Sequence, residues 1–399
     1  MKQGAVESFT TDWLGLFQMA AYFAILIASF VTIIKLTPIW SGIKLARANR
    51  HGTVYFPVCC LLVQSVLSLL YTWYYIFKFV VEDIARFETF DEWLEKGEMF
   101  FNAYVMVAGS EGRWVWTSGL LFWVLIGVSY MTYESKRLKI RYTWAYVVVG
   151  FLGAISVSFT LFYSHVLIKE YLIVVHNSES VGKAKSENEK KGTGANAKDS
   201  INLPLLLVVC VIGGFAATVK MPLSLQVGNK LEFNICLLIV HGILFAPAVF
   251  CAPTFQSALE NNSASYGRPL SSGLLNYLKI LSLFCCLAYY VYVFSFYKKY
   301  INLEDLSAGF DFFNATRDLI GEISLNSCQI SITADLFSTT LATMVLITSE
   351  TDSLRNQILF IFGCILCSPA VATGIYLIHR ETFPAIERAY LIPAVKKQN

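Results

Sequence analysis

The sequence predicts an all-α, polytopic membrane fold of about nine transmembrane helices with an internal three-helix repeat, and three observations point to it. The 399 residues are 56% hydrophobic and 15% charged, against about 45–50% apolar and about 25% charged in soluble domains. The apolar residues gather in long runs, and landmarks of one half of the chain recur in the other. A water-soluble globular protein is excluded. Lys+Arg 31 against Asp+Glu 28 is too balanced for a polyanion-binding protein, so membrane lipid and not nucleic acid is the expected partner.

A hydrocarbon core about 30 Å thick needs about 20 apolar residues per helix, because every backbone amide in lipid must be paired within its own segment. Nine runs qualify, at 14–36, 54–81, 114–133, 142–168, 201–219, 233–252, 274–297, 332–349 and 357–378. The first lacks a small-residue cleavage site behind it and reads as a signal anchor. The eighth is diluted by Thr333, Asp335, Ser338, Thr339, Thr340 and Thr343, so a re-entrant segment is its alternative. Between runs two and three, residues 82–99 place Ile84, Phe87, Phe90 and Trp93 at helical spacing, which predicts an amphipathic helix capping the bundle. Residues 177–200 are polar and Lys/Glu/Gly/Ser-rich, a composition that predicts a disordered linker. The chain divides accordingly into 1–53, repeat one at 54–176, the linker, two connecting helices in 201–273, repeat two at 274–381 and a tail at 382–399.

Orientation follows from short-loop charge, since cytosolic loops are enriched in Lys and Arg. The first loop carries Lys44, Arg47 and Arg50, and the third carries Lys136, Arg137, Lys139 and Arg141. Both are predicted cytosolic. The loop 82–113 holds eight acids against three bases and is predicted to face the lumen or exterior. Nine crossings then put the N-terminus out, the C-terminus in, and Lys220, Lys230, Lys298 and Lys299 on the cytosolic side.

The duplication is carried by Phe100-Phe101-Asn102-Ala103 and Phe312-Phe313-Asn314-Ala315, each before a helix containing T-S-G-L from Thr117 or T-A-D-L from Thr333. Seventeen residues beyond each threonine stands an acid, Glu134 or Glu350. Gly150/Ala154/Ser158 then match Cys364/Ser368/Ala372, and His165 matches His379. The unit is three helices, 54–81, 114–133 and 142–168, repeated as 274–297, 332–349 and 357–378. A shift of five spans inverts the second copy, an arrangement used by transporters with the site at the repeat interface.

The stretches R-W-V-W-T-S-G-L-L-F-W, Y-E-S-K-R-L and A-I-S-V-S-F resemble a family of uncharacterised fungal multi-pass membrane proteins. The T-A-D-L-F…E core resembles a small three-helix membrane domain of unknown function. Both resemblances imply a fold and neither implies an activity. The first copy departs from the small-domain pattern, with Gly119 where the second has Asp335.

Ionisable residues inside membrane segments are candidate functional residues, because charge in lipid must face a partner or a cavity. Asp335, His379, His165 and His241 meet that test. Consecutive antiparallel helices would bring Asp335 and His379 to one membrane face, where they would form a proton relay or serve as helix caps. His241 precedes Pro247, which frees a carbonyl and kinks a helix; a satisfied core histidine is its other reading. Glu134 and Glu350 close their helices and predict a shared ion-pair pattern, Glu134 with Arg137 or Lys139 and Glu350 with Arg355. The small-residue stripes predict close helix packing. Cys364 and Cys367 stand mid-membrane without further ligands, so neither a metal site nor a bound cofactor is predicted.

Asn261 begins a glycan acceptor triplet on the predicted non-cytosolic side. Lys396 and Lys397 resemble the dilysine signal that cytosolic coat proteins read on endoplasmic-reticulum membrane proteins. Three activities stay open: binding or movement of a lipid-like molecule between the repeats, a membrane-embedded isomerase or cyclase using Asp335 and His379, and a non-catalytic scaffold subunit.

Overall fold

The computed structural model describes residues 4–184, 205–251, 272–301, 311–351, 353–366 and 368–382. These residues form helices, and seven of the helical stretches are long and apolar enough to cross a membrane. In chain order the elements are α1 (Gly4–Leu36), α2 (Ile39–Ala48), α3 (Gly52–Ile84), α4 (Phe90–Lys96), α5 (Met99–Ala108), α6 (Glu111–Arg137), α7 (Thr143–Leu152), α8 (Ile155–Ala184), α9 (Leu205–Gln226), α10 (Lys230–Leu244) and α11 (Ala246–Phe250). They continue with α12 (Ser272–Lys298), α13 (Phe312–Gly321), a 3₁₀ turn (Glu322–Ser324), α14 (Ser327–Glu350), α15 (Leu354–Leu366) and α16 (Pro369–Thr382). The crossing candidates are α1 with α2, α3, α6, α9, α10 with α11, α12 and α14.

The centre of the bundle is α6, in which every residue from Trp114 to Ser135 except Trp116 is buried. It is apolar all round and surrounded on all sides by α5, α9, α10, α12, α14 and α16. The outer helices are one-sided. On α3, Val58, Leu61 and Gln64 are buried while Val63, Leu67, Leu70 and Phe77 are exposed, the pattern of a helix whose outer face meets lipid.

Two of the nine predicted spans do not cross. The fourth run breaks at Gly153–Ala154 and the ninth between Leu366 and Pro369, with φ +97° at Ser368. Each folds back on itself as a helical hairpin. In the first, Ser158 Oγ donates to the Tyr146 carbonyl at 2.6 Å, and a Cβ on Gly150 would lie 3.1 Å from Ser158 Cβ. In the second, Phe360 packs edge-on against Tyr376 with ring centroids 5.7 Å apart. The small-residue stripes therefore allow close approach between the two arms of one hairpin, where the sequence predicted contact between separate helices. Steric tolerance for a tight turn decides this: Gly153 supplies one break, and Pro369, which cannot donate a backbone N–H, stands at the other. The eighth run is the unbroken one, because α14 is continuous over 24 residues.

With two runs folded back, the parity of the chain changes, and the predicted inversion of the second copy is overturned. The C-terminal ends of α6 and α14 meet, since Arg380 pairs with both Glu134 and Glu350. Their N-terminal ends also meet: Ser110 Oγ donates to Glu322 at 3.1 Å, and the Asn326 amide donates to the Met106 carbonyl at 3.4 Å. The two helices run in the same direction side by side. From α3 to α12 the chain makes four crossings, an even number that preserves direction.

Different contacts mark the two ends of the bundle. At one end Lys230 pairs with Glu98, Lys299 with Glu111 and Arg113 with Glu322. The other end gathers Asn49 against Tyr171, Arg137 against Glu170 and Cys251 near the Thr132 carbonyl. Lys230 and Lys299 thus lie at the acidic-loop end, opposite to the prediction, because they pair with that loop's own carboxylates. Asn261, Lys396 and Lys397 lie outside the described residues. Of the predicted linker, residues 177–184 belong to α8, which continues to Ala184, and the rest lies outside the described residues. Within 82–99, α4 is capped by Thr89 and anchored by Trp93, whose indole donates to Asp83 at 3.0 Å.

Candidate functional site

Breaking a helix inside a membrane bundle exposes backbone groups that lipid cannot satisfy, so each must find a protein partner. At the first hairpin the partners are specific. Tyr22 OH donates to the Leu152 carbonyl, and the Trp73 indole donates to the Gly153 carbonyl at 3.2 Å. Asp335 of α14 accepts from the N–H of Ile155 at 3.1 Å and of Ser156 at 2.8 Å. Its carboxylate faces the positive end of the α8 dipole. At the second hairpin Tyr290 OH donates to the Leu366 carbonyl at 2.7 Å. Pro369 has no N–H to satisfy there, and Gly119, aligned with Asp335, packs against Leu336 and Tyr289.

Asp335 and His379 are therefore not a pair. Glu350 lies fifteen residues beyond Asp335 on the same helix, about 22 Å at 1.5 Å per residue, and it is Glu350 whose partner Arg380 adjoins His379. The prediction failed because the ninth run turns back between α15 and α16, which returns His379 to the Glu350 end of α14. His379 instead packs edge-on against Phe360, ring centroids 5.6 Å apart. His165, buried on α8, hydrogen-bonds Tyr146 OH through Nδ1 at 2.8 Å. On α10, His241 Nδ1 donates to the Leu237 carbonyl at 2.8 Å, which leaves Nε2 to accept from Tyr104 OH. Its ring is boxed by Tyr104 and Phe151.

The strongest concentration of buried charge lies at the basic-loop end. Arg137 donates to Glu134 through Nε at 2.7 Å and also pairs with Glu170 of α8. Arg380 of α16 bridges Glu134 of α6 and Glu350 of α14, the latter at 3.2 Å. Tyr376 OH completes the shell by donating to Glu350. The Arg380 guanidinium lies 5.9, 6.0 and 5.9 Å from the ring centres of Tyr130, Tyr133 and Tyr376, within range of cation–π attraction. All five charged side chains are at least 95% buried. Four helices are joined here by charge-assisted bonds in a dry setting.

The sequence singled out Glu134 and Glu350 and expected Glu134 to reach Arg137. It missed Glu170 and Arg380, and it gave Glu350 the wrong partner in Arg355. Arg380 follows the ninth apolar run, so hydropathy alone leaves it among the charges of the tail. The available signal was its position directly after His379, at the landmark shared by the two halves.

A bundle of seven apolar spans with two broken hairpins and a buried ion network defines a multi-pass integral membrane protein. Within it, residues 60–165 match a family described as "Protein of unknown function DUF2834". That segment runs from α3 to His165 on α8 and includes the whole first hairpin turn. No curated protein and no solved structure matches the chain.

Proposed function

We propose that the protein binds or moves a lipid-like molecule between two three-helix units that point the same way in the membrane. One unit is α3, α6 and the α7–α8 hairpin; the other is α12, α14 and the α15–α16 hairpin. The observation that carries the reading is the matched pair of broken hairpins. Helical breaks at membrane depth are costly and recur where transporters form their sites. The two hairpins correspond residue by residue at an offset of 214 positions: Tyr146, Phe162 and His165 make the ring contacts that Phe360, Tyr376 and His379 make. Parallel repeats about an axis along the membrane normal are a known transporter plan, as inverted ones are.

We orient the basic-loop end toward the cytosol, because Lys44, Arg47, Arg50, Lys139 and Arg141 belong to it. The N-terminus is then out and the C-terminus in, with seven crossings in place of nine, since both numbers are odd. A cytosolic tail suits dilysine retrieval to the endoplasmic reticulum through Lys396 and Lys397. The isomerase or cyclase alternative loses its support, as Asp335 is engaged by α8 and stands far from His379.

Reconstitution tests the reading. Full-length protein in vesicles carrying a fluorescent phospholipid in the inner leaflet is expected to speed its appearance in the outer leaflet above the protein-free rate. A rate equal to that of empty vesicles, together with no retention of lipid by the purified protein, would overturn it.

A further inference from the structure

We propose that the ion cluster between α6, α8, α14 and α16 is a buried proton-binding site, with Glu350 as the carboxyl that holds the proton at neutral pH. Three carboxyl groups, Glu134, Glu170 and Glu350, face two guanidinium groups, Arg137 and Arg380. With every group ionised the cluster carries one uncompensated negative charge, and burying such a charge is far more costly than neutralising it. One proton removes the imbalance.

The bonding pattern selects where it sits. Glu134 is bound by both arginines, and Glu170 is bound by Arg137. At Glu350 both donors, Tyr376 OH and Arg380, converge on Oε2, while Oε1 is buried with no hydrogen-bond partner. A carboxylate would spread its charge over both oxygens and leave half of it bare. A carboxylic acid protonated on Oε1 keeps its accepting oxygen on the two donors and places the neutral hydroxyl on the unpartnered side.

Among the described residues no further Lys or Arg pairs with Glu134, Glu170 or Glu350, and on α15, which packs against α14, Arg355 is exposed. α6 contributes Glu134, Arg137 and the buried phenol of Tyr130, α8 contributes Glu170 and Tyr163, and α16 contributes Tyr376, Arg380 and the neighbouring His379. Just before α3, His51 stands against Tyr171, beside Glu170 on α8. The proton comes from water and leaves as hydronium. Any movement that parts α14 from α16 and wets Glu350 releases it, so opening of this end is linked to proton loss. That linkage does not depend on whether lipid is the cargo.

Infrared spectroscopy of the full-length protein in lipid nanodiscs tests this. The expected result at pH 7 is a carbonyl band of a protonated carboxylic acid that fades as the pH is raised and is missing from Glu350→Gln. The amide matches the neutral acid in shape and charge, so Glu350→Gln is expected to fold and melt at or above the wild-type temperature. Glu134→Gln, which removes a carboxylate held by both arginines, is expected to melt lower. No such band in the wild type, a band unchanged in Glu350→Gln, or failure of Glu350→Gln to fold would each overturn the assignment.

Discussion

Asp335 illustrates how one side chain acquires meaning from a distant backbone. An isolated aspartate within a membrane helix costs several kcal/mol, and here the cost is offset by two backbone N–H donors from residues about 180 positions away in sequence. The carboxylate is a helix cap supplied by another helix. Asp335→Ala should leave both donors buried without a partner and lower stability by about 2–3 kcal/mol. Asp335→Asn should recover part of that through its amide oxygen. Thermal melting in detergent reads both variants; an Ala variant that melts like the wild type would mean the capping bonds contribute nothing. His165 and His241 belong to the same scale, each held by a tyrosine hydroxyl, the first buried and the second half-buried against Tyr104 and Phe151.

The element that distinguishes this fold is the broken hairpin. A mostly apolar run of 27 residues such as 142–168 is long enough to span as one helix, yet the turn at Gly153 converts it into α7 and the first half of α8. Tyr22, Trp73 and Asp335, from three other helices, satisfy the groups that the turn releases. In the second hairpin, α16 approaches α12 so closely that a Cβ on Gly374 would overlap the Ser282 hydroxyl. Gly374→Ala should therefore cost about 1–3 kcal/mol through overpacking, and adding Ser282→Gly should restore most of it. A double variant no more stable than the single one would show that the strain arises elsewhere. Such small-residue contacts are the usual basis of helix association in lipid, where apolar burial alone supplies no drive.

For the whole molecule, direction is the property with the most consequence. Parallel α6 and α14 put the two Phe-Phe-Asn-Ala segments at one end and both Glu134 and Glu350 at the other. Single cysteines introduced at Glu88 and Asn314 are expected to react with an impermeant maleimide from one side of sealed vesicles. Cysteines at Arg50, Lys139 and Arg355 should react only from the opposite side. All five positions are exposed. Labelling of Glu88 and Asn314 positions from opposite compartments would restore the inverted arrangement and contradict the Arg380 bridge.

Composition and periodicity alone determined that this chain lives in a membrane, where most of its helices lie, and which of its loops are basic or acidic. Those properties depend on transfer of each segment from water to lipid, which is local. The alignment of Gly150, Ala154 and Ser158 with Cys364, Ser368 and Ala372 was legible for the same reason, as was the Glu134–Arg137 pair three residues apart. Hydropathy could not decide whether an apolar run continues through the bilayer or turns within it, because Gly153 and Ser368 cost no hydrophobicity. Only tertiary structure decided that, by supplying Asp335 to one turn and Tyr290 to the other. From those two turns followed the number of crossings, the direction of the second unit and the meeting of Glu134 with Glu350 on one arginine. Each is a relation between segments remote in the chain, fixed by which buried polar group reaches which.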